Sequence, residues 1–363
     1  MDANTTIKYG VSKYKNIMGI TCYMNSILHI LQQTPIFMEY ISQAKFRDVI
    51  MEKIKSEDEL NRLVIIELFR LFSASLSNDD SSINPTKFKK LIGTKDDIWN
   101  ENNHQDSQEF LNFLISTLQD EVGQKHVFIP GLNYKEDASI NINASLQLIS
   151  SLRSSLYYNL PEYSLLKVLF NGMTETIKRC KCCNNNTRGF EPFLTWGLPI
   201  PMKKELCLYD CIDEFVNEEQ LDMENKMNCE MCGLKNRGYS KTLLWKTPKI
   251  LVIHIKRFMV NSMITRKITN NIIYPITDLD LSKYFNPISP HKDKSKYDLI
   301  GINIHLAFGH SGNTNAGHYT SMVKNIINNK WHYYNDSDDV KDIVSKEDLQ
   351  NHNAYMLFYY RHN

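Results

Sequence analysis

No apolar run in the chain approaches the roughly 20 residues that a bilayer-spanning helix needs. The first ten residues, MDANTTIKYG, are polar and lack the apolar core of a secretory signal. Charge of one sign is also missing: 42 Lys and Arg stand against 41 Asp and Glu, a net charge of +1 over 363 residues. That balance excludes the basic footprint of a nucleic-acid binder or of a protein held on an anionic membrane. There is no internal repeat, no low-complexity tract and no basic import cluster, and no appended partner-recruiting domain is expected. The expectation is a soluble, monomeric intracellular protein, cytoplasmic or nuclear, binding neither nucleic acid nor membrane. Its length and 42% hydrophobic content are ample for a substantial core.

What is present begins with eight cysteines: Cys22, Cys180, Cys182, Cys183, Cys207, Cys211, Cys229 and Cys232. In an intracellular chain, spaced cysteines point to metal or catalysis before disulfides. Cys180-x-x-Cys183 and Cys229-x-x-Cys232 are two knuckles whose four thiolates suit one tetrahedral structural Zn2+. The long separation implies two hairpin tips meeting at the metal. Cys182 competes with Cys183, but only the latter has the CxxC spacing. A closed four-thiolate site has no open position, so no catalytic role falls to it. Cys207 and Cys211, four apart beside Leu208, Ile212 and Phe215, read as the core face of a helix.

The patterning changes along the chain. Met24, Ile27, Leu28 and Leu31 follow helical spacing, and Pro35 stops the run. A second helix starts near Asp106, with Phe110, Phe113, Leu114, Thr117 and Leu118 on one side and capping-box spacing between Asp106 and Glu109. A Ser- and Asn-rich stretch from about 124 to 159 reads as a surface insertion. Strands follow: the run Ile250 to Ile255, the alternation Ile300, Ile302, Ile304 and Leu306, and Ala354 to Tyr360. Helices first and strands later predict an α+β fold.

Cys22 follows a glycine turn and opens an amphipathic helix. Free N–H groups and the helix dipole there favour a thiolate nucleophile. A buried core cysteine is the bland alternative. A nucleophilic cysteine needs a histidine, and the histidine an orienting group. Two strands, Tyr319 to Val323 and Trp331 to Tyr334, flank an Asn-rich turn at Asn325 to Asn329. A hairpin centred between Ile326 and Ile327 sets His318 opposite Asn335 on one face. Asp336 would point away unless the strand ends there, and it stays open as the alternative orienter.

Taken together the segments resemble the ubiquitin-specific protease family from about Tyr14 to Arg361. GITCYMNSILHILQQTP is similar to its cysteine box and HQDSQEFLNFL to its QQDxQEF box. FNGMTETIKRCKCC resembles the approach to the first knuckle, and TPKILVIHIKRF the strand box after the second. AGHYTSMV, WHYYNDSDDV and AYMLFYYR resemble the histidine box and terminal strand. The resemblance implies a papain-like hand with a helical thumb (about 10–123), a variable insertion (124–160), fingers with a zinc-ribbon-like tip and part of the palm (161–245) and an antiparallel palm with the histidine box (246–363). It implies a thiol protease that cuts after the C-terminal glycine of ubiquitin, with Cys22 as nucleophile, His318 as base, Asn335 as third member and Asp336 beside it. Asp106 and Glu109 fall where acidic residues receive ubiquitin's basic tail.

The chain also departs from that pattern. Ile17 stands where the family's oxyanion asparagine is usual, with Asn16 one residue earlier. Ile20 replaces an asparagine, Ala316 a glycine, and His305 to Ala316 is long. Losing an oxyanion donor typically costs about 100- to 1,000-fold in rate. Three rivals follow: a weak or inactive ubiquitin-binding module of the same fold, a protease for another ubiquitin-like modifier, and a zinc-ribbon scaffold that leaves the histidine box unexplained.

Overall fold

The computed structural model describes residues 12–42, 50, 54–77, 82–123, 147–152, 154–155, 164–261, 264–307, 317–325, 329–343 and 345–362. Most of the expected insertion at 124–160 lies outside the described residues, as do 308–316 and the tip of the histidine hairpin.

A large sheet organises the molecule. Its strands run in the spatial order Lys341–Ile343, Trp331–Tyr334, Gly317–Lys324, Lys296–Ala307, Ala354–Arg361, Ile250–Ile255 and Thr195–Leu198, with Leu279–Asp280 paired to Lys296–Ala307. All these pairs are antiparallel except that between Ile250–Ile255 and Thr195–Leu198. The run at 250–255 is apolar apart from the half-buried His254 because both of its faces are covered. Ile250 and Val252 join a core with the N-terminal helices, while Leu251, Ile253 and Ile255 join a second core with Leu208, Cys211 and Ile212. Lys296–Ala307 breaks the simple alternation for the same reason, with Asn303 and His305 buried beside Ile302 and Ile304.

Two helices, Cys22–Gln32 and Ser107–Val122, lie on one face of this sheet. The first has an apolar and a polar side, yet all eleven of its residues are buried, because its polar side is covered as well. Gly301 lets it approach, since a Cβ there would sit 2.8 Å from Ile30 Cγ2. A buried polar chain pins both helices to the sheet: Ser107 Oγ donates to Asn303 Oδ1 and Asn303 Nδ2 donates to Ser26 Oγ, each at 2.9 Å. Pro35 does end the first helix, and it opens another, Pro35–Ser42. The Ser107–Val122 helix buries Leu111, Ile115 and Val122 besides Phe110, Leu114 and Leu118, a wider stripe than the spacing suggested. Cys207 caps the Leu208–Val216 helix, its Sγ 3.1 Å from Asp210 Oδ2, so of the two cysteines only Cys211 is on the core face.

A separate four-stranded sheet, ordered Asn186–Phe193, Gly172–Arg179, Tyr239–Lys246 and Glu219–Gln220, carries a small core of Met173, Phe190 and Trp245. Its long strands end in the cysteine knuckles. The mixed α+β organisation matches the expectation.

Candidate active site

Cys22 is the first residue of its helix and is almost completely buried. The chain reaches it through a sharp turn, with Met18 at φ 53° and Gly19 at φ 74°. The other side of the site comes from the start of the Gly317–Lys324 strand. The backbone N–H of Tyr319, the residue after His318, is directed at the Cys22 sulfur. Sequence positions almost three hundred apart therefore meet at one place.

The histidine hairpin is registered differently from the expectation. Val323 pairs with His332, where the assumed centre would put Lys330, and the ladder ends at Ser321 opposite Tyr334. The shift is by two positions, so face parity is kept but no strand pairing sets Asn335 opposite His318. Instead the chain turns: Asp336 takes φ 49° and Asp338 N donates to Asn335 O at 2.9 Å. That turn swings Asn335 back, with its Oδ1 2.5 Å from His318 Nε2. Asp336 comes to the same nitrogen, its Oδ2 3.7 Å away.

Asp336 is also a junction. Asn25 Nδ2 donates to its Oδ1 at 2.7 Å and Asn16 Nδ2 to its Oδ2 at 2.8 Å. The same Asn16 amide accepts from Thr21 N at 2.8 Å. Burial raises the Asp336 carboxyl above the usual range, while the Asn25 bond, the His318 ring and the Asn16 bond pull it down. For Cys22, burial pushes the thiol up to about 11; the N–H of Tyr319 opposes this, the Asp336 charge adds to it, and the first-turn N–H groups of Tyr23 and Cys22 also oppose it. Burial thus opposes the thiolate that the helix N-terminus favours.

Asp106 caps its helix, Oδ1 accepting from Gln108 N at 2.7 Å and Glu109 N at 3.1 Å. Its Oδ2 accepts from Tyr355 O–H at 2.6 Å and Tyr319 O–H at 3.3 Å, so internal donors occupy both oxygens. Glu109 is exposed beside it, its carboxyl raised by burial and by the Asp106 charge. Asn25, Tyr355 and Asp338 were not singled out from the sequence; Tyr319 was read only as the start of a strand, and Asn16 only as the residue before the Ile17 position. The cue for Asn25 is its place three residues after Cys22, on the turn facing the histidine.

Far from this site, Cys180, Cys183, Cys229 and Cys232 gather with all four sulfurs within 4.8 Å of one another. Cys180 and Cys232 sulfurs are 3.8 Å apart, and those of Cys183 and Cys229 3.5 Å. A tetrahedron with Zn–S bonds of about 2.3 Å has edges of about 3.8 Å, so the four cysteines fit as a metal site. The two knuckles share one design. The carbonyls of Cys180 and Cys229 accept from Asn184 N and Gly233 N, and their own N–H groups donate to Asn185 O and Leu234 O. Asn184 and Gly233 both take positive φ, the conformation that turns each tip. Asn236 Nδ2 also donates to Cys180 Sγ at 3.2 Å. Both Cys182 and Cys183 are exposed, and it is Cys183, not Cys182, that lies in the cluster.

No helix among the described residues is long and apolar enough to cross a membrane. The family described as ubiquitin carboxyl-terminal hydrolase matches residues 14–359. The chain is 28% identical over 352 residues to ubiquitin carboxyl-terminal hydrolase Usp2 of Drosophila melanogaster, covering 97% of this chain and 35% of that protein. It is 30% identical over 358 residues to ubiquitin carboxyl-terminal hydrolase 2 of Gallus gallus, covering 98% and 95%. Against the Bos taurus relative it spans 56% of the length, so the chain covers from a third to little more than half of the first curated relatives it matches. Among solved structures it is similar to that of the SAGA Ubp8/Sgf11/Sus1/Sgf73 DUB module bound to ubiquitin aldehyde, with a TM-score of 0.70, 25% identity, and coverage of 100% of this chain and 72% of that one. A match running from Tyr14 to Tyr359, across both the cysteine helix and the histidine hairpin, puts this chain in the ubiquitin carboxyl-terminal hydrolase family, as a catalytic domain of the ubiquitin-specific protease type.

Proposed function

We propose that the chain is a deubiquitinating thiol protease that hydrolyses the bond after the C-terminal glycine of ubiquitin. The observation that carries this reading is the meeting of Cys22 with the His318–Tyr319 segment while Asn335 and Asp336 hold the His318 ring. With Nε2 turned to Asn335, Nδ1 is the nitrogen that takes the proton from Cys22 Sγ. The sulfur attacks the glycine carbonyl carbon, and the oxyanion is met by backbone N–H groups around Cys22. His318 returns its proton to the leaving lysine amine as the C–N bond breaks. Water, deprotonated by His318, then hydrolyses the thioester and frees the Cys22 thiol. Asp336 braces the ring from the side, and Glu109, with Asp106 behind it, offers carboxylate to the arginines of ubiquitin's tail.

One Zn2+ is the proposed occupant of Cys180, Cys183, Cys229 and Cys232. When bound it supplies folding free energy to the fingers tip, and no reaction step runs through it. Thumb, fingers and palm are proposed with the boundaries read from the sequence, the 161–245 segment giving Thr195–Leu198 to the large sheet.

The test is a ubiquitin probe with an electrophilic C-terminus. Wild-type protein should be labelled at Cys22, and Cys22→Ala should not. A folded wild type that stays unlabelled ends the proposal.

A slow enzyme, or a ubiquitin-binding module, is favoured by one observation. Ile17 supplies no side-chain donor, and the Asn16 amide is engaged at both ends by Thr21 and Asp336. Ile17→Asn should then raise kcat on a fluorogenic ubiquitin amide with little change in KM. An unchanged kcat would show that the backbone donors suffice.

A further inference from the structure

At the end of the large sheet remote from Cys22 lies a cavity of about 510 Å3, lined by Lys249, Asp293, Lys294, Lys296, Arg361 and His362. Lys296 opens the strand Lys296–Ala307, and Leu306 of that strand pairs with His318. At about 3.4 Å per residue the cavity is roughly 30 Å from the histidine.

Its walls are built by strand pairing. Arg361 N donates to Lys249 O and His362 N to Lys296 O, each at 2.9 Å, which brings three strand ends together. The Arg361 guanidinium is located by a carbonyl: Nη1 donates to Thr247 O at 3.0 Å. A carbonyl fixes the group without neutralising it. Asp293 is the one carboxylate among the lining residues described, and His362 faces Asp298 at 2.9 Å. The excess positive charge is felt by neighbouring groups. Lys246 and Lys249 are held below the usual lysine range by burial and then by Arg361, and His291 is lowered by burial and then by Lys246, Lys294 and Arg361. Repulsion of this kind weakens the empty protein, and an anion that binds the folded state relieves it.

We propose that this cavity binds a small anion carrying adjoining phosphoryl groups, through Lys294, Lys296, Lys249 and Arg361. Lys249, Lys294, Lys296 and Arg361 outnumber the carboxylates beside them, Asp293 in the lining with Asp298 next to His362 and Asp280 paired with Lys296. Lys249 Nζ donates to Arg361 O at 2.9 Å and keeps its charge there. An Arg fork with flanking ammonium groups matches phosphoryl oxygens. The volume falls in the range of small-ligand sites.

The experiment titrates tripolyphosphate into the protein by calorimetry and follows Tm at fixed ionic strength, with sodium sulfate and phosphoserine as parallel arms. Saturable binding and a Tm rise of a few degrees should occur with tripolyphosphate. In Lys294→Gln/Lys296→Gln the affinity should fall at least tenfold. A charge-matched control on exposed lysines elsewhere, Lys178→Gln/Lys346→Gln, should bind like wild type. A response to phosphoserine equal to that with tripolyphosphate would overturn the requirement for adjoining phosphoryl groups. Equal Tm shifts with sulfate, or unchanged affinity in the Lys294/Lys296 variant, would overturn the proposal. No readout depends on ubiquitin cleavage, so this inference and the proposed activity stand or fall separately.

Discussion

Asn335 Nδ2 donates to Asp338 Oδ2 across 2.5 Å, and this leaves Asn335 Oδ1 facing His318 Nε2. An amide oxygen only accepts, so the proton of that pair sits on Nε2 and the basic lone pair on Nδ1. Asp338 is thus a positioning residue acting through Asn335. Asp338→Ala frees the amide to rotate and should lower kcat about fivefold, the worth of one hydrogen bond near 1 kcal/mol, with KM nearly unchanged. Asp338→Asn, which can still accept, should recover most of the loss. A kcat untouched by either change would remove Asp338 from the site.

The buried Cys22 thiol gives a pH signature. Its acid dissociation is pushed from 9.0 up to about 11, chiefly by burial. Alkylation of Cys22 by iodoacetamide in the free protein should therefore quicken by about tenfold per pH unit between pH 7 and 10. A rate already level at pH 7 would mean a preformed thiolate. The folded state holds this proton more tightly than the unfolded chain. The resulting stabilisation is complete below pH 9 and is lost as pH rises toward 11. Cys22→Ala should flatten that part of the alkaline decline.

Metal removal separates the cysteines. A chelator that strips Zn2+ should lower Tm, and Cys180→Ser should lower it without chelator and release zinc faster to a chromogenic chelator. Cys182→Ser should behave as wild type in both. Elemental analysis of reduced protein should return about one zinc per chain for a four-thiolate site, and none would discredit it.

Arg257 is buried and serves three carbonyls: Nε donates to Ala354 O at 2.7 Å, and Nη1 to Ile268 O at 3.1 Å and Asn270 O at 2.9 Å. Arg257→Met keeps the volume but strands those acceptors. A loss of about 3 kcal/mol is expected, visible as a lower urea midpoint at unchanged m-value. A midpoint within error of wild type would show that water takes over the carbonyls.

Much of this architecture was legible because short-range patterning decides it. The strand Ile250–Ile255 was readable to the residue, since a mostly apolar run of that length, interrupted only by His254, suffices. The cysteine spacing located the four-sulfur cluster. The hairpin register was not readable, because its turn carries no residues that dictate a loop length. The return of Asn335 to His318 comes from a left-handed residue after the strand, which no alternation rule contains. Likewise Asn25 and Asn16 converge on Asp336 only through tertiary packing, and the amphipathic reading of the Cys22 helix missed how much polar surface the rest of the molecule would cover.

The bond between Asn25 and Asp336 closes a loop of 311 residues. Synthesis proceeds from the cysteine end, so the Cys22 sulfur emerges without its imidazole and stays without it until His318 and the turn that carries Asn335 and Asp336 have left the ribosome.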